Sequence, residues 1–226
     1  MFKKLLKKFL IFRQAYFKKI NKNFYSQFGE DKILYEIISK KSIKGFYVDV
    51  GCFHPKKYSN TYMLYKRGWS GVNIDMEKDK IKTFDLTRPN DFNFFGAVSD
   101  KVEKVKIFRN QKFGVSSTLN ENMINKNNII DEKFIKTCTL NYILNLSPFK
   151  NKEIDLLNID TEGNDLKVLK SLDFNIYNPK IIIIETHLKD IDKILASEPY
   201  RFLINKNYKL SSWNIYSLIF EKIIKS

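Results

Sequence analysis

The chain is poor in the residues that mark secreted, membrane-spanning and nucleic-acid-reading proteins. Among its 226 residues the only cysteines are Cys52 and Cys138, with no metal-ligand spacing between them. A disulfide framework and a cysteine-based zinc site are therefore excluded, and a reducing cytoplasm fits best. Long apolar runs are also missing. The longest, FLIF at 9–12 and IIII at 181–184, fall far short of the roughly 18 residues that a spanning helix needs. No stretch joins a charged start, an apolar middle and a small-residue cleavage site, so no signal peptide is expected. Arginine is scarce: of 40 basic residues only Arg13, Arg67, Arg88, Arg109 and Arg201 carry a guanidinium. Because arginine is preferred for planar phosphate and base recognition, the net charge of +15 reads poorly as a nucleic-acid surface.

Acidic residues are absent before Glu30, and what stands there instead is patterned. MFKKLLKKFLIFRQAYFKKI places Phe2, Leu5, Leu6, Phe9, Phe12, Tyr16, Phe17 and Ile20 on one helical face, with lysines largely opposite. A basic amphipathic helix over 1–22 is expected. It suits either an anionic membrane surface, through residues 1–20, or a protein face, its own or a sister subunit's.

The rest, 23–226, alternates strand and helix. The pattern predicts helices over 28–41, 60–67, 78–86, 164–171 and 189–196. It predicts strands over 45–50, 71–75, 92–98, 154–159, 180–185, 208–212 and 216–222. Ser59 is expected to cap the second helix and Gly68 to stop it. Residues 100–140 are more polar, with KVKIF as a short alternating strand and FIKTCTL as another extended piece, and read as an insertion that shapes a substrate pocket. Strands separated by helices argue for an α/β fold, a mostly parallel sheet covered on both faces, with ligands at the carboxyl ends of the strands.

Glycine is also sparse, and its scarcity matters most in FYVDVGCFHPKK, 46–57. A dinucleotide loop needs three glycines so that backbone can approach a pyrophosphate; here Gly51 is followed by Phe53 and Lys56 in the other two places. A phosphate-free cofactor such as S-adenosylmethionine needs less: a turn glycine, carboxylates and backbone amides. Asp49 precedes that glycine, and Asp75 ends the next strand, where a carboxylate accepts from ribose hydroxyls. Two later strands end in Asp160 and Glu162, and in Glu185 and His187. In extended chain, residues i and i+2 share a side, so three carboxylates and an imidazole are expected to converge. His54, beside Pro55, reads as a turn residue.

SQFGEDKIL (26–34), GFYVDVGCFHP (45–55), SNTYMLYKRGWSGVNID (59–75), GAVSD (96–100), LLNIDTEGNDLKVLKSLDF (156–174), PKIIIIETH (179–187) and YKLSSWNIYSLIFEK (208–222), in that order, resemble the FkbM-type S-adenosylmethionine-dependent methyltransferases. The resemblance implies a seven-stranded Rossmann-like methyltransferase fold and methyl transfer to a hydroxyl, commonly of a sugar or natural product. Here that points to an O-methyltransferase for a glycan precursor of a cell-surface polysaccharide, cytoplasmic or peripheral on the inner membrane face. It also implies cofactor contacts from Gln27, Asp49, Gly51, Asn60, Asp75, Met76, and Ser99 or Asp100. Asn164 stands where the family often has a histidine, which leaves His187 as the first expected general base and Asp160 as the second. Asp160, Glu162 and Glu185 are suited either to gather a divalent cation such as Mg²⁺ or to orient sugar hydroxyls directly. The Pro-Pro-aromatic signature of amino-methylating enzymes is missing, which favours a hydroxyl acceptor over a base amine. A methyltransferase-like binding protein without turnover, and a nucleic-acid methyltransferase, remain the competing readings.

Overall fold

A computed structural model describes residues 5–9, 24–38, 44–109, 117–118 and 131–224. Seven strands form one sheet: β1 (Phe46–Val50), β2 (Ser70–Asp75), β3 (Phe92–Phe95), β8 (Leu156–Ile159), β9 (Ile181–Glu185), β10 (Tyr208–Asn214) and β11 (Ser217–Lys222). Their spatial order is β10-β11-β9-β8-β1-β2-β3. β9, β8, β1, β2 and β3 run parallel, and β11 is inserted antiparallel between β9 and β10. The fold is α/β with a mixed, mostly parallel seven-stranded sheet, consistent with the fold that the resemblance implies.

The sheet's central strands are apolar on both sides because helices cover both faces. Along β1, Phe46, Val48 and Val50 join one core cluster while Tyr47 joins the other. The four isoleucines of β9 divide in the same way: Ile182 and Ile184 face the first cluster, Ile181 and Ile183 the second. The IIII run, expected as a strand, thus supplies two interleaved faces of one strand. The first cluster is closed by Leu140, Ile143 and Leu144 of α4 (Leu140–Leu146), Val168 and Leu169 of α5 (Asp165–Lys170), Ile194 of α6 (Ile191–Ala196) and Leu203 of α7 (Glu198–Asn205). Leu34 and Ile38 of α1 (Glu30–Ile38) and Leu64 of α2 (Tyr62–Lys66) close the second. Ile81 and Phe84 of α3 (Lys78–Thr87) pack on Cys52.

Three expectations are corrected. The strand expected over 92–98 breaks at Gly96: β3 stays in the main sheet, and β4 (Ala97–Val98) leaves it for a second sheet of order β4-β7-β5-β6. Its partners β5 (Lys104–Arg109), β6 (Ser117–Thr118) and β7 (Asp131–Cys138) come from the segment read as an insertion. Helices α4 and α7 were not foreseen. Each is started by a hydroxyl, Thr139 accepting from the Tyr142 N–H and Ser197 from the Tyr200 N–H. Ser59 does accept from the Tyr62 N–H (3.1 Å), but the helix begins three residues after it, and Gly68 (φ +82°) ends it as expected.

The expected amphipathic helix over 1–22 lies mostly outside the described residues. Residues 5–9 are helical, with Leu5, Leu6 and Phe9 exposed. Among the described residues no helix is long and apolar enough to cross a membrane.

Candidate active site

The carboxyl ends of β1, β2, β8 and β9 meet at one rim of the sheet. Two adjoining cavities open there. The first encloses about 920 Å³ counting its open mouth and is walled by residues following β1 and β2, by Gly96, Ala97 and Val98, and by Asn158, Asp160, Thr161, Glu162 and Asn164 of the β8 end. The second, about 730 Å³ on the same basis, lies toward β9 and β11 and is lined by Glu30, Glu185, His187 and Tyr216. Gln27, Tyr58, Asn60, Asp160 and Glu162 line both.

The junction of β1 and β8 is held by close backbone approach. Asp160 N–H donates to the Val50 carbonyl (2.9 Å), and Gly51 N–H donates to the Ile74 carbonyl (2.9 Å). Asp49, almost wholly buried, accepts from Thr61 Oγ1 (2.6 Å) and Asn158 Nδ2 (2.8 Å). Asn60 Nδ2 donates to Asn158 Oδ1 (2.9 Å), so this chain of bonds fixes Asn60 at the boundary of the cavities. Burial pushes the Asp49 carboxyl above the ordinary carboxylate range, against the pull of these donors. Asp75 accepts from the Phe53 N–H (3.2 Å) and the Glu77 N–H (2.8 Å), with Lys80 Nζ at 3.6 Å. Held in this way, Asp75 lines the first cavity at the end of β2.

Phe53, which stands where a second glycine would, has a positive φ of 48°. The backbone therefore keeps a glycine-like turn while the ring closes the wall and stacks on Tyr58, 6.3 Å between centroids. His54 Nδ1 accepts from the Lys56 and Lys57 N–H groups (3.0 and 2.9 Å), which makes it the turn residue it was read as.

Arg88 was missed by sequence reasoning, because its partners lie about 30 residues away in the chain. It is fully buried and donates to the Pro55 carbonyl, to Ser59 Oγ (2.9 Å) and to Thr61 Oγ1 (2.9 Å). It thereby clamps the whole 55–61 loop to the sheet and reaches Asp49 through Thr61. Arg88→Met leaves these acceptors and the buried Asp91 carboxylate without their cation. A loss of about 3–5 kcal/mol is expected. The melting temperature should fall by about 10 °C; a melt within about 2 °C of wild type would show that the clamp is dispensable.

Gln27 owes its place to its neighbours. Ser26 Oγ donates to Asp31 Oδ1 (2.8 Å), Asp31 Oδ2 accepts from the Tyr25 N–H (2.8 Å), and Glu30 accepts from the Phe28 N–H (2.9 Å) and Ser217 Oγ (3.0 Å). In SQFGED the serine, glutamate and aspartate pin the strap, and Gln27 is the side chain it presents to both cavities.

The expected convergence of acids and imidazole is present. His187 Nε2 lies 3.3 Å from Glu185 Oε1 and 3.9 Å from Glu162 Oε2. The Asp160 and Glu185 carboxyls touch, and both are pushed up, first by desolvation and then by neighbouring carboxylates, although Asp160 itself is exposed at the cavity mouths. Helix capping does not use them: Asp165 accepts from the Thr161 N–H (3.1 Å) instead. Asn164 donates to the Val98 carbonyl (2.7 Å) and straps α5 to β4, which is no place for a base. Met76 lines the first cavity, whereas Ser99 and Asp100 do not. The break at Gly96 carries them past the wall, and Ser99 N–H is paired to the Cys138 carbonyl.

The result is an acidic site in a basic protein: among the described residues Lys80, beside Asp75, is the one lysine or arginine lining either cavity. No curated protein matches the chain. A family model described as Methyltransferase FkbM domain matches residues 49–210, from the acidic end of β1 into β10, so the chain belongs to the FkbM methyltransferase family and is a methyltransferase by that membership.

Proposed function

We propose that the protein is an S-adenosylmethionine-dependent O-methyltransferase that methylates a hydroxyl of a sugar or glycan precursor. The observation that carries this reading is the pair of adjoining cavities that share Asp160. The first fits S-adenosylmethionine. It offers Asp75 for a ribose diol, an aromatic wall in Phe53 and Tyr58, and carboxylates near a sulfonium, and its single lysine makes no cradle for a pyrophosphate. When bound, that cofactor supplies an electrophilic methyl group. The second cavity, with Gln27, Asn60, Tyr58 and several carboxylates, suits a hydroxyl-rich acceptor.

The protein's own contribution is then position and proton removal. Holding the acceptor oxygen in line is worth roughly 7–11 kcal/mol in well-oriented systems, and a general base adds about 10²- to 10⁴-fold. Asp160 is the better base on geometry, because it lines both cavities while His187 lines only the second. Its raised carboxyl pKa suits proton transfer near neutral pH. Of the two uses foreseen for Asp160, Glu162 and Glu185, direct orientation of sugar hydroxyls needs only Asp160 and Glu162, the two that line both cavities. Peripheral contact with an anionic membrane belongs to the same proposal. The exposed Leu5, Leu6 and Phe9 beside Lys7 and Lys8 support it, and a polysaccharide precursor on a lipid carrier would be met there.

Asp75→Asn tests the cofactor assignment. It should weaken S-adenosylmethionine binding at least about 10-fold by calorimetry, the loss of one charged hydrogen-bond acceptor. Equal affinity for variant and wild type would remove Asp75 from the cofactor site. Transfer of labelled methyl to free sugars, nucleotide sugars and lipid-linked sugars tests the acceptor class, and cofactor binding without transfer to any of them would favour a binding protein.

A further inference from the structure

We infer that Glu162, Glu185 and His187 form a divalent-cation site, two carboxylates and one imidazole, in the wall of the second cavity. β8 and β9 are parallel neighbours with Ile159 beside Ile184, so the residues that follow them leave the sheet together. Glu185 is the last residue of β9, His187 follows two residues later, and Glu162 turns in from the β8 end with φ +51°. One donor atom from each residue lies within 4.8 Å of the other two. Donors that share one ion at about 2.1 Å stand roughly 3–4 Å apart. The pairs at 3.3 and 3.9 Å already meet that spacing, and small side-chain rotations close the third.

A second observation points to a cation independently of that geometry. Glu185 Oε2 is buried and is the one such side-chain oxygen among the described residues that meets no N–H or hydroxyl donor at this atom, while its side chain meets another carboxyl, that of Asp160. It stands beside Asp160 and Glu162 in a cavity that no lysine or arginine among the described residues lines. A buried carboxylate of this kind ordinarily has a donor or a cation. Lys189 does not serve, since its ammonium sits 3.4 Å from the centre of the Tyr216 ring. That same ring is edge-on to the His187 imidazole, 5.8 Å between centroids, and steadies it toward the glutamates.

The donor set selects the ion. Mg²⁺ prefers oxygen donors throughout, whereas two carboxylates with one imidazole suit a borderline ion such as Mn²⁺ or Zn²⁺. This set exchanges His187 for the Asp160 of the sequence reading, which leaves Asp160 available as a base. The cation's role, binding an acceptor hydroxyl and lowering its pKa, rests on the methyltransferase reading. The existence of the site does not.

The test uses the full, tag-free chain after treatment with chelator and dialysis. Mn²⁺ is titrated by calorimetry and followed by electron paramagnetic resonance, and S-adenosylmethionine affinity is measured on the same preparations. Wild type should bind one Mn²⁺ per chain. Glu162→Gln, Glu185→Gln and His187→Gln should each weaken it at least about 10-fold, with circular dichroism showing folded protein. Wild type binding no tighter than the folded variants overturns the site. Cofactor binding without Mn²⁺ binding overturns the site alone, and Mn²⁺ binding without cofactor binding supports the site and overturns its assigned role.

Discussion

Gly51→Ala is expected to abolish measurable S-adenosylmethionine binding and to destabilise the fold. Gly51 has φ +80°, a region that costs an L-residue roughly 1–2 kcal/mol. The larger effect is steric. A Cβ there would stand 1.7 Å from the Asp160 carbonyl oxygen and 2.7 Å from its carbonyl carbon. Both are backbone atoms of a segment tied to β1 by the Asp160 N–H to Val50 bond, so no side-chain rotation gives relief. The two strand ends must part, and with them Asp49, Asn158 and Asp160. Gly68 is the control: its φ is +82°, yet nothing lies within 4 Å of its added Cβ. Gly68→Ala should cost only the backbone term and leave cofactor affinity unchanged. Calorimetry with S-adenosylmethionine on both variants decides the matter, and wild-type affinity in Gly51→Ala would mean that this junction does not shape the cofactor site.

The same contrast shows what can be read from sequence and what cannot. β1, β2, β8, β9 and β11 were legible because a strand buried on both faces must be apolar almost without interruption, and Asp49, Asp75, Asp160 and Glu185 stand out where those runs end. Period-2 side-chain direction anticipated that Glu162, Glu185 and His187 meet, although Glu162 reaches the others from a turn with φ +51° and not from extended chain. Other features depended on tertiary partners that local pattern does not carry. Phe92 to Val98 reads as one mostly apolar stretch, and only the sheet edge and Gly96 divide it between two sheets. That division is why Ser99 and Asp100 miss the cavity. Arg88 looked like one more surface cation, since nothing in TRPN reveals that Pro55, Ser59 and Thr61 surround it. Asn164, read as the loss of a base, is a strap to the Val98 carbonyl.

Glu185→Gln is expected to separate stability from activity. Burial, then repulsion from Asp160 and Glu162, raises the Glu185 carboxyl pKa in the folded protein, and the side chain is only 13% exposed. The folded state therefore holds this proton more tightly than the unfolded chain does. Below the unfolded value, about 4.3, both states are protonated and the group is neutral in its effect. As pH rises above that value the unfolded chain releases its proton first, and wild-type stability declines through the folded pKa. Glutamine mimics the neutral acid at every pH. With chelator present, the variant should melt near wild type at pH 4 and above it by about 3 °C or more at pH 8. The gain should shrink when Mn²⁺ is added, because the cation relieves the same repulsion in wild type and finds one carboxylate fewer in the variant. Turnover should nevertheless fall at least about 10-fold, the penalty typical of losing one group in such a site. A variant that melts below wild type at pH 8, or whose difference from wild type does not change with pH, would show that the Glu185 carboxylate is not under strain in this cavity.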